Sequence, residues 1–285
     1  MPSVTINKQM KIQIKKILIG IGIVVILAAS WIIIKNEIIR RLSSDENDCL
    51  LGGNVALVKI FGRIVGYKVV IILPEQSLEE TDVVSSEEVV GYLEKIEKDN
   101  QIKGIIVEVD SPGGSSLAAE EIMIALKKSS KPIVAVIRET GASAGYLIAT
   151  GADQIYASKF SDVGSIGVTG SYLDYSKKNE NEGVIYQQIS AGEFKNTGDP
   201  DKPLSVDEKE LLMRDVKKVH RMFIEYVAKN RKLPIEAVEK LADGSTMLGL
   251  DAKAAGLVDE IGDLNSARDW LRDKIGGEAE VCVLN

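Results

Sequence analysis

The stretch Gly104–Gly145 reads GIIVEVDSPGGSSLAAEEIMIALKKSSKPIVAVIRETGASAGY, and its reading decides the fold. Two apolar, β-branched runs, Gly104–Val109 and Pro132–Ile137, have the composition of neighbouring buried parallel strands. Between them Ser116–Lys128 carries helical spacing, so the segment predicts a βαβ unit. Each strand ends in a glycine-containing turn: Asp110-Ser111-Pro112-Gly113-Gly114 after the first, Gly141-Ala142-Ser143-Ala144-Gly145 after the second. In open α/β sheets the reactive groups stand beyond the carboxyl ends of the strands. Both turns are therefore expected at one cleft. The first can offer bare backbone N–H groups; the second offers a serine hydroxyl where a helix begins.

Outward from this unit, strand and helix continue to alternate. Asn54–Leu73 reads as one or two strands, and Glu87–Asp99 as a helix with Val89, Val90, Leu93 and Ile96 on one side. After Ser143 come a short helix Ala144–Thr150, a strand Gln154–Ala157, a glycine-bent strand Gly164–Val168 and a strand candidate Val184–Ile189. Ala191–Pro203 is a loop rich in Gly, Pro and Asp. Ser205 and Glu208 fit a capping box opening a long helix to about Asn230, with Leu212, Val216, Val219, Phe223 and Val227 as its apolar face. Shorter helices follow at Pro234–Leu241, Ala252–Gly256 and Leu264–Lys274. No period of 20–50 residues recurs. The expectation is one α/β domain over residues 54–285, behind a linker at 35–53.

Ahead of the linker, Ile17–Ile34 is an uncharged run, ILIGIGIVVILAASWIII, preceded by a short basic segment at 1–16. At 1.5 Å per residue such a run just crosses a hydrocarbon core of about 30 Å. It reads as a transmembrane signal anchor rather than a cleaved signal peptide, because apolar residues continue past the small residues Ala28, Ala29 and Ser30. The flanking lysines place the N-terminus in the cytoplasm and the domain on the outer side of the cell membrane. Residues 1–41 hold seven Lys/Arg and one acid, while the remainder holds 28 bases against 41 acids. So acidic a body argues against nucleic acid as the partner. The two cysteines, Cys49 and Cys282, suggest neither a disulfide framework nor a metal cluster and read as ordinary thiols.

The serine turn matches G-x-S-x-G after a strand, the nucleophile-elbow pattern. A Ser-His-Asp triad needs a histidine on a downstream loop. The chain's one histidine, His220, falls inside the long helix beside its apolar face, which suits a structural role. Lysine can serve as base instead, provided it is neutral, which requires its pKa to drop from about 10.4. Lys195, following Phe194 in a glycine-bearing loop, is one candidate; the same residue also reads as a solvated loop lysine. Asp110 reads as a turn or cap residue.

Four segments in order carry a resemblance: D-S-P-G-G at 110–114, A-S-A-G-Y at 142–146, G-S-I-G-V at 164–168 and S-A-G-E-F-K-N-T-G-D-P at 190–200, with A-D-G and G-L-V-D-E-I-G following within 242–262. The chain resembles the signal peptide peptidase A family in its half-length form, membrane serine peptidases with a Ser-Lys dyad. The resemblance implies the ClpP/crotonase-type α/β fold, with repeated ββα/βαβ units and a parallel sheet, preceded by one transmembrane helix. It implies Ser143 as nucleophile, Lys195 as general base, Ser165 as the residue orienting the lysine, and backbone N–H groups of Gly113, Gly114 and Ala144 as the oxyanion hole. No metal or cofactor is implied. Partners would be signal-peptide remnants or other membrane-associated peptides, with homo-oligomers completing the Ser-Lys pair between protomers. Family members usually have Ser-Gly-Gly where this chain has Ser143-Ala144-Gly145. A related archaeal-type peptidase that cuts stomatin-like proteins shares the Ser-Ala-Gly form. Two further alternatives are a crotonase-like acyl-CoA binder and a catalytically silent membrane scaffold.

Overall fold

The computed structural model describes residues 52–68 and 83–284, together with Trp31. Apart from Trp31, the anchor at 17–34, the basic segment before it and most of the linker lie outside the described residues. Among those described, no helix is long and apolar enough to cross a membrane.

The elements run in order β1 (Val55–Val65), β2 (Val83–Ser85), α1 (Ser86–Lys98), β3 (Gly104–Gly114), α2 (Ser116–Lys128), β4 (Ile133–Ala142), α3 (Ala144–Ala149), β5 (Gln154–Ala157), β6 (Asp162–Gly164), α4 (Ser176–Asn181), α5 (Val206–Arg231), α6 (Ile235–Leu241), β7 (Thr246–Leu248), α7 (Gly249–Ala254), β8 (Glu260–Ile261), α8 (Leu264–Ile275) and β9 (Val281–Leu284). All described strands join one sheet, ordered β2-β1-β3-β4-β5-β8. The free edges of β1 and β4 are each shared between two strands. β9 pairs with Val55–Val58 and β2 with Arg63–Val65; β5 pairs with Val134–Ile137 and β6 with Thr140–Ala142. Every pairing is parallel except β6 with β7.

Alternation along the strands builds two cores. Ile105, Val107 and Val109 of β3 face a large cluster with α1, α2, α3 and the C-terminal half of α5. Ile106, with Val134 and Val136 of β4, faces a smaller cluster closed by Ala267 and Leu271 of α8. Covering both faces is what lets these strands read as continuous apolar runs. Each fully buried Ile or Val contributes about 1.5–3 kcal/mol by transfer from water, so this β3–β4 pair anchors the domain. The helix starts are specified locally. Ser85, Ser115 and Ser205 each accept an N–H three residues on, and Glu208 completes a capping box with Ser205.

Three expectations change. Val184–Ile189 is not a strand but irregular, mostly exposed chain, with Ile185 and Ile189 in solvent, and it pairs with none of the described strands. Gly164–Val168 contributes only Gly164 to a strand, since β6 ends there. Cys282, on β9, is disulfide-bonded rather than an ordinary thiol. The long helix keeps its boundaries, but Leu212 is exposed and only its later residues, Phe223 and Val227 among them, enter the core.

Candidate active site

Ser143 occupies the one-residue junction between β4 and α3. Its backbone stands at φ 52°, ψ −122°, a region L side chains rarely adopt. Two hydrogen bonds hold it there: its N–H donates to the Gly164 carbonyl at 2.8 Å, and its own carbonyl accepts from the Leu147 N–H at 3.0 Å. The side chain makes no capping bond to the helix it precedes, so the hydroxyl is left to the cleft. The small residues around it are required by close approach. A Cβ on Gly145 would lie 3.0 Å from the Ser111 carbonyl oxygen, and one on Gly113 would lie 2.8 Å from Ser143 Cβ and 3.2 Å from its Oγ.

The D-S-P-G-G segment is not a free turn. β3 continues through it, pairing Gly113 with Arg63 and Gly114 with Ile64 of β1 after a register shift. Gly113 and Gly114 stand at φ 112° and 153°, conformations that suit glycine. The Gly113 N–H, expected at the oxyanion hole, donates instead to Ser111 Oγ at 3.1 Å. Ser115 N–H is taken by the Ile64 carbonyl at 2.9 Å. Since successive N–H groups along a strand point to opposite edges, Gly114 N–H points away from β1, on the side where β4 has given way to Ser143. Ala144 is the first residue of α3, and its N–H has no acceptor within that helix.

Ser143, Ala144, Gly114 and Ser165 line one open cleft of about 1040 Å³. Its far wall is α5, through Val216, Val219, His220, Phe223 and Tyr226. Leu117 of α2 and Leu147 of α3 complete an apolar interior. His220 Nε2 donates to the Ile166 carbonyl at 3.3 Å, which ties the imidazole to the backbone. The Tyr226 hydroxyl bonds the Glu120 carboxylate, linking α5 to α2 across the cleft; that bond holds the phenol above its ordinary pKa. Ser165 has φ 49° and donates its hydroxyl to the Gly244 carbonyl at 3.0 Å, not to a lysine.

Lys195 does not reach this cleft within the chain. It sits exposed in a succession of turns, its N–H bonded to the Gly192 carbonyl at 3.2 Å. Among the described residues no ion pair or hydrogen bond holds its amine. The turn itself is pinned: Tyr186 donates to Asp199 at 2.9 Å and accepts from Asn196 at 2.8 Å. Asp110 is a strand-bridging acceptor, taking the Thr140 N–H at 3.0 Å.

Residues the sequence reading passed over anchor α3. Tyr146 is fully buried and donates to the Leu257 carbonyl at 2.9 Å; burial pushes its phenol far above the ordinary range. Beside it Arg231 forks onto both Asp259 oxygens, at 2.6 and 2.9 Å, and onto the Gly256 carbonyl. Tyr146 closes the A-S-A-G-Y motif, so its place in the sequence was visible though its partner was not.

Comparison with known proteins puts this geometry in a family. The Peptidase family S49 model matches residues 125–277, and the Clp protease model matches 54–161. A protein of Methanocaldococcus jannaschii named as a protease is 32% identical over 257 residues, 87% of this chain and 79% of its own. One of Enterococcus faecium named as a signal peptide peptidase SppA is 35% identical, over 70% of this chain and 58% of its own. Protease 4 of Haemophilus influenzae is 34% identical over 67% of this chain, which spans only 31% of that longer protein.

Proposed function

The chain belongs to peptidase family S49 and is a serine peptidase of that family; we propose that Ser143 is its nucleophile and Lys195 its general base, supplied to the cleft by a neighbouring copy of the same chain. The observation that carries the reading is Ser143 itself: a serine held in a strained backbone at the mouth of a cleft, its hydroxyl unused, beside the glycines of β3. Strain in such a residue persists only where the surroundings enforce it.

In this reading Ser143 Oγ attacks the scissile carbonyl while the lysine amine takes its proton. The oxygen, becoming negative, is met by the Gly114 and Ala144 N–H groups, with Gly113 packed against Ser143 but its own N–H committed to Ser111. The adduct collapses as the lysine ammonium returns that proton to the departing amine, breaking the C–N bond. Water, giving its proton to the same lysine, then attacks the acyl-enzyme and frees the acid as Ser143 is reprotonated. Ser165 turns its hydroxyl from Gly244 toward the arriving amine. The exposed, pinned turn around Lys195 suits delivery to a neighbour better than closure on its own cleft, and the ClpP-like fold supports a homo-oligomer. The apolar run at 17–34 supports attachment to the cell membrane with the domain on its outer side. Substrates are then remnant signal peptides or other membrane-associated segments, whose apolar side chains suit the cleft between Leu147 and Phe223.

The test is complementation between subunits. Ser143→Ala and Lys195→Ala are each expected inactive on signal-peptide substrates, with products mapped by mass spectrometry. Mixed and reassembled, they should recover a quarter or less of wild-type activity, because one face in the mixture joins an intact serine to an intact lysine. Activity in Ser143→Ala alone refutes the nucleophile. Inactive singles whose mixture stays dead, despite verified exchange of subunits, refute the shared site.

A further inference from the structure

Ser111 is fully buried, and neither the nucleophile nor the base needs it. Its hydroxyl nevertheless makes two bonds at one place. It donates to the Gly62 carbonyl of β1 at 2.6 Å and accepts the Gly113 N–H at 3.1 Å. Gly62, at φ 73°, sits where β1 slips against β3, between Phe61 and Arg63. β3 slips against β4 at the same level, between Val109 and Ser111. Regular pairing on both sides of β3 is therefore interrupted around this one side chain.

The two residues that follow Pro112 are glycines, and glycine by itself prefers no one conformation. Something has to select the orientation of the Gly113 and Gly114 peptides. The Ser111 hydroxyl bonds the first of them directly. The backbone of Ser111 also lies under the first turn of α3, where a Cβ on Gly145 would meet Ser111 Cβ at 3.1 Å. One residue thus touches the irregular part of β1, the glycine pair of β3 and the start of the helix that carries Ser143.

We infer that Ser111 is a positioning residue for the oxyanion hole: its hydroxyl braces Gly62 to Gly113 and so sets the peptide whose next N–H, on Gly114, meets the tetrahedral oxygen. The inference rests on the reading above, with Ser143 as nucleophile and Gly114 as donor. A misplacement of about 1 Å at such a donor costs on the order of 100-fold in rate, and loss of one oxyanion donor costs about 100- to 1,000-fold.

Ser111→Ala, Ser111→Thr and Ser111→Cys are compared with wild type as the full chain in detergent. Active sites are counted by complete labelling with a fluorophosphonate. Then kcat and KM are measured on a peptide the wild type cleaves, with inhibition by a peptide boronate, whose tetrahedral adduct presents an oxyanion. Ser111→Ala should lose about 10- to 100-fold in kcat per labelled site, with KM within about twofold, and boronate affinity should fall in parallel. Ser111→Thr, which keeps donor and acceptor, should recover most of both. A buried hydroxyl that only satisfies Gly62 would lower the melting temperature and leave kcat per site and boronate affinity intact; that result overturns the inference. Should Ser111→Ala fail to fold, the near-isosteric Ser111→Cys gives the same reading, and failure of both marks Ser111 as a folding residue and overturns it too. Wild-type activity that survives Ser143→Ala sinks the nucleophile reading and this inference together. Wild-type activity that needs Ser143 but is unchanged in Ser111→Ala sinks this inference alone.

Discussion

Ser143→Gly should destroy the activity and raise the stability of the fold. The reference is Ser143→Ala, which loses the same hydroxyl but keeps the Cβ. Both variants forfeit no cap, since the Ser143 side chain makes no bond to α3. Both keep the backbone bonds to Gly164 and Leu147. What separates them is the backbone at φ 52°, ψ −122°. For a residue with a Cβ this conformation costs about 1–3 kcal/mol; for glycine it costs little. Glycine in turn gives the unfolded chain more freedom, which returns about 0.5–1 kcal/mol. At mid-range values the balance favours Ser143→Gly over Ser143→Ala by about 1 kcal/mol. In a domain of this size each kcal/mol moves Tm by about 2–4 °C, so the glycine variant should melt roughly 2–4 °C higher. The assay is thermal unfolding of the two variants by circular dichroism under identical conditions, with a urea titration to check the difference. A glycine variant melting at or below the alanine variant would show that the side chain adds no strain at this junction, and the argument that function is maintained there against stability would fail.

The remaining expectations concern what surrounds that junction. Gly114→Ala would put a Cβ 2.1 Å from the Ile64 carbonyl oxygen at φ 153°, so it should lose at least about 3 kcal/mol in urea unfolding or fail to accumulate folded. Asp259→Asn leaves the buried Arg231 guanidinium, 8% exposed, without its carboxylate; it should cost about 3–5 kcal/mol, and the double variant with Arg231→Met should cost less than the single, as a double-mutant cycle would read. The Glu208 carboxyl is held below its ordinary pKa of 4.5, first by the Lys202 hydrogen bond and then by the Ser205 N–H. A lowered folded-state pKa gives stability that is full above the ordinary value and lost as pH falls through the lowered one. Melting curves of Glu208→Gln should accordingly show a smaller acid-side fall than wild type, and an equal fall would contradict it.

Much of the fold was legible because it is specified over short distances. The β3–α2–β4 unit announces itself in β-branched runs and helical spacing, and Gln154–Ala157 emerged as a strand within the same bounds. What was not legible depends on partners far along the chain. Val184–Ile189 has the composition of a strand, but composition cannot say whether a segment docks on an edge, and this one pairs with none of the described strands. Gly113 and Gly114 read as turn residues, yet they pair with Arg63 and Ile64 about fifty positions away. Cys282 read as a plain thiol for the same reason.

The candidate site divides along the same line. Small residues around Ser143 are visible as G-A-S-A-G, and they say that something comes close. They do not say what: the Gly164 carbonyl that bends the serine, the Ser111 backbone beneath Gly145, the Leu257 carbonyl that holds Tyr146. Each of those is a contact between segments brought together only by the sheet. Lys195 carries the logic one step further. Its motif is as readable as that of Ser143, but within one chain its amine stands exposed, away from the cleft. A motif locates chemistry along a sequence; whether two motifs meet is decided by what packs between them. For Ser143 and the β3 glycines the packing lies inside this chain. For Ser143 and Lys195 the proposal puts it between chains, so the shared-site proposal stands or falls on assembly and not on further inspection of the monomer.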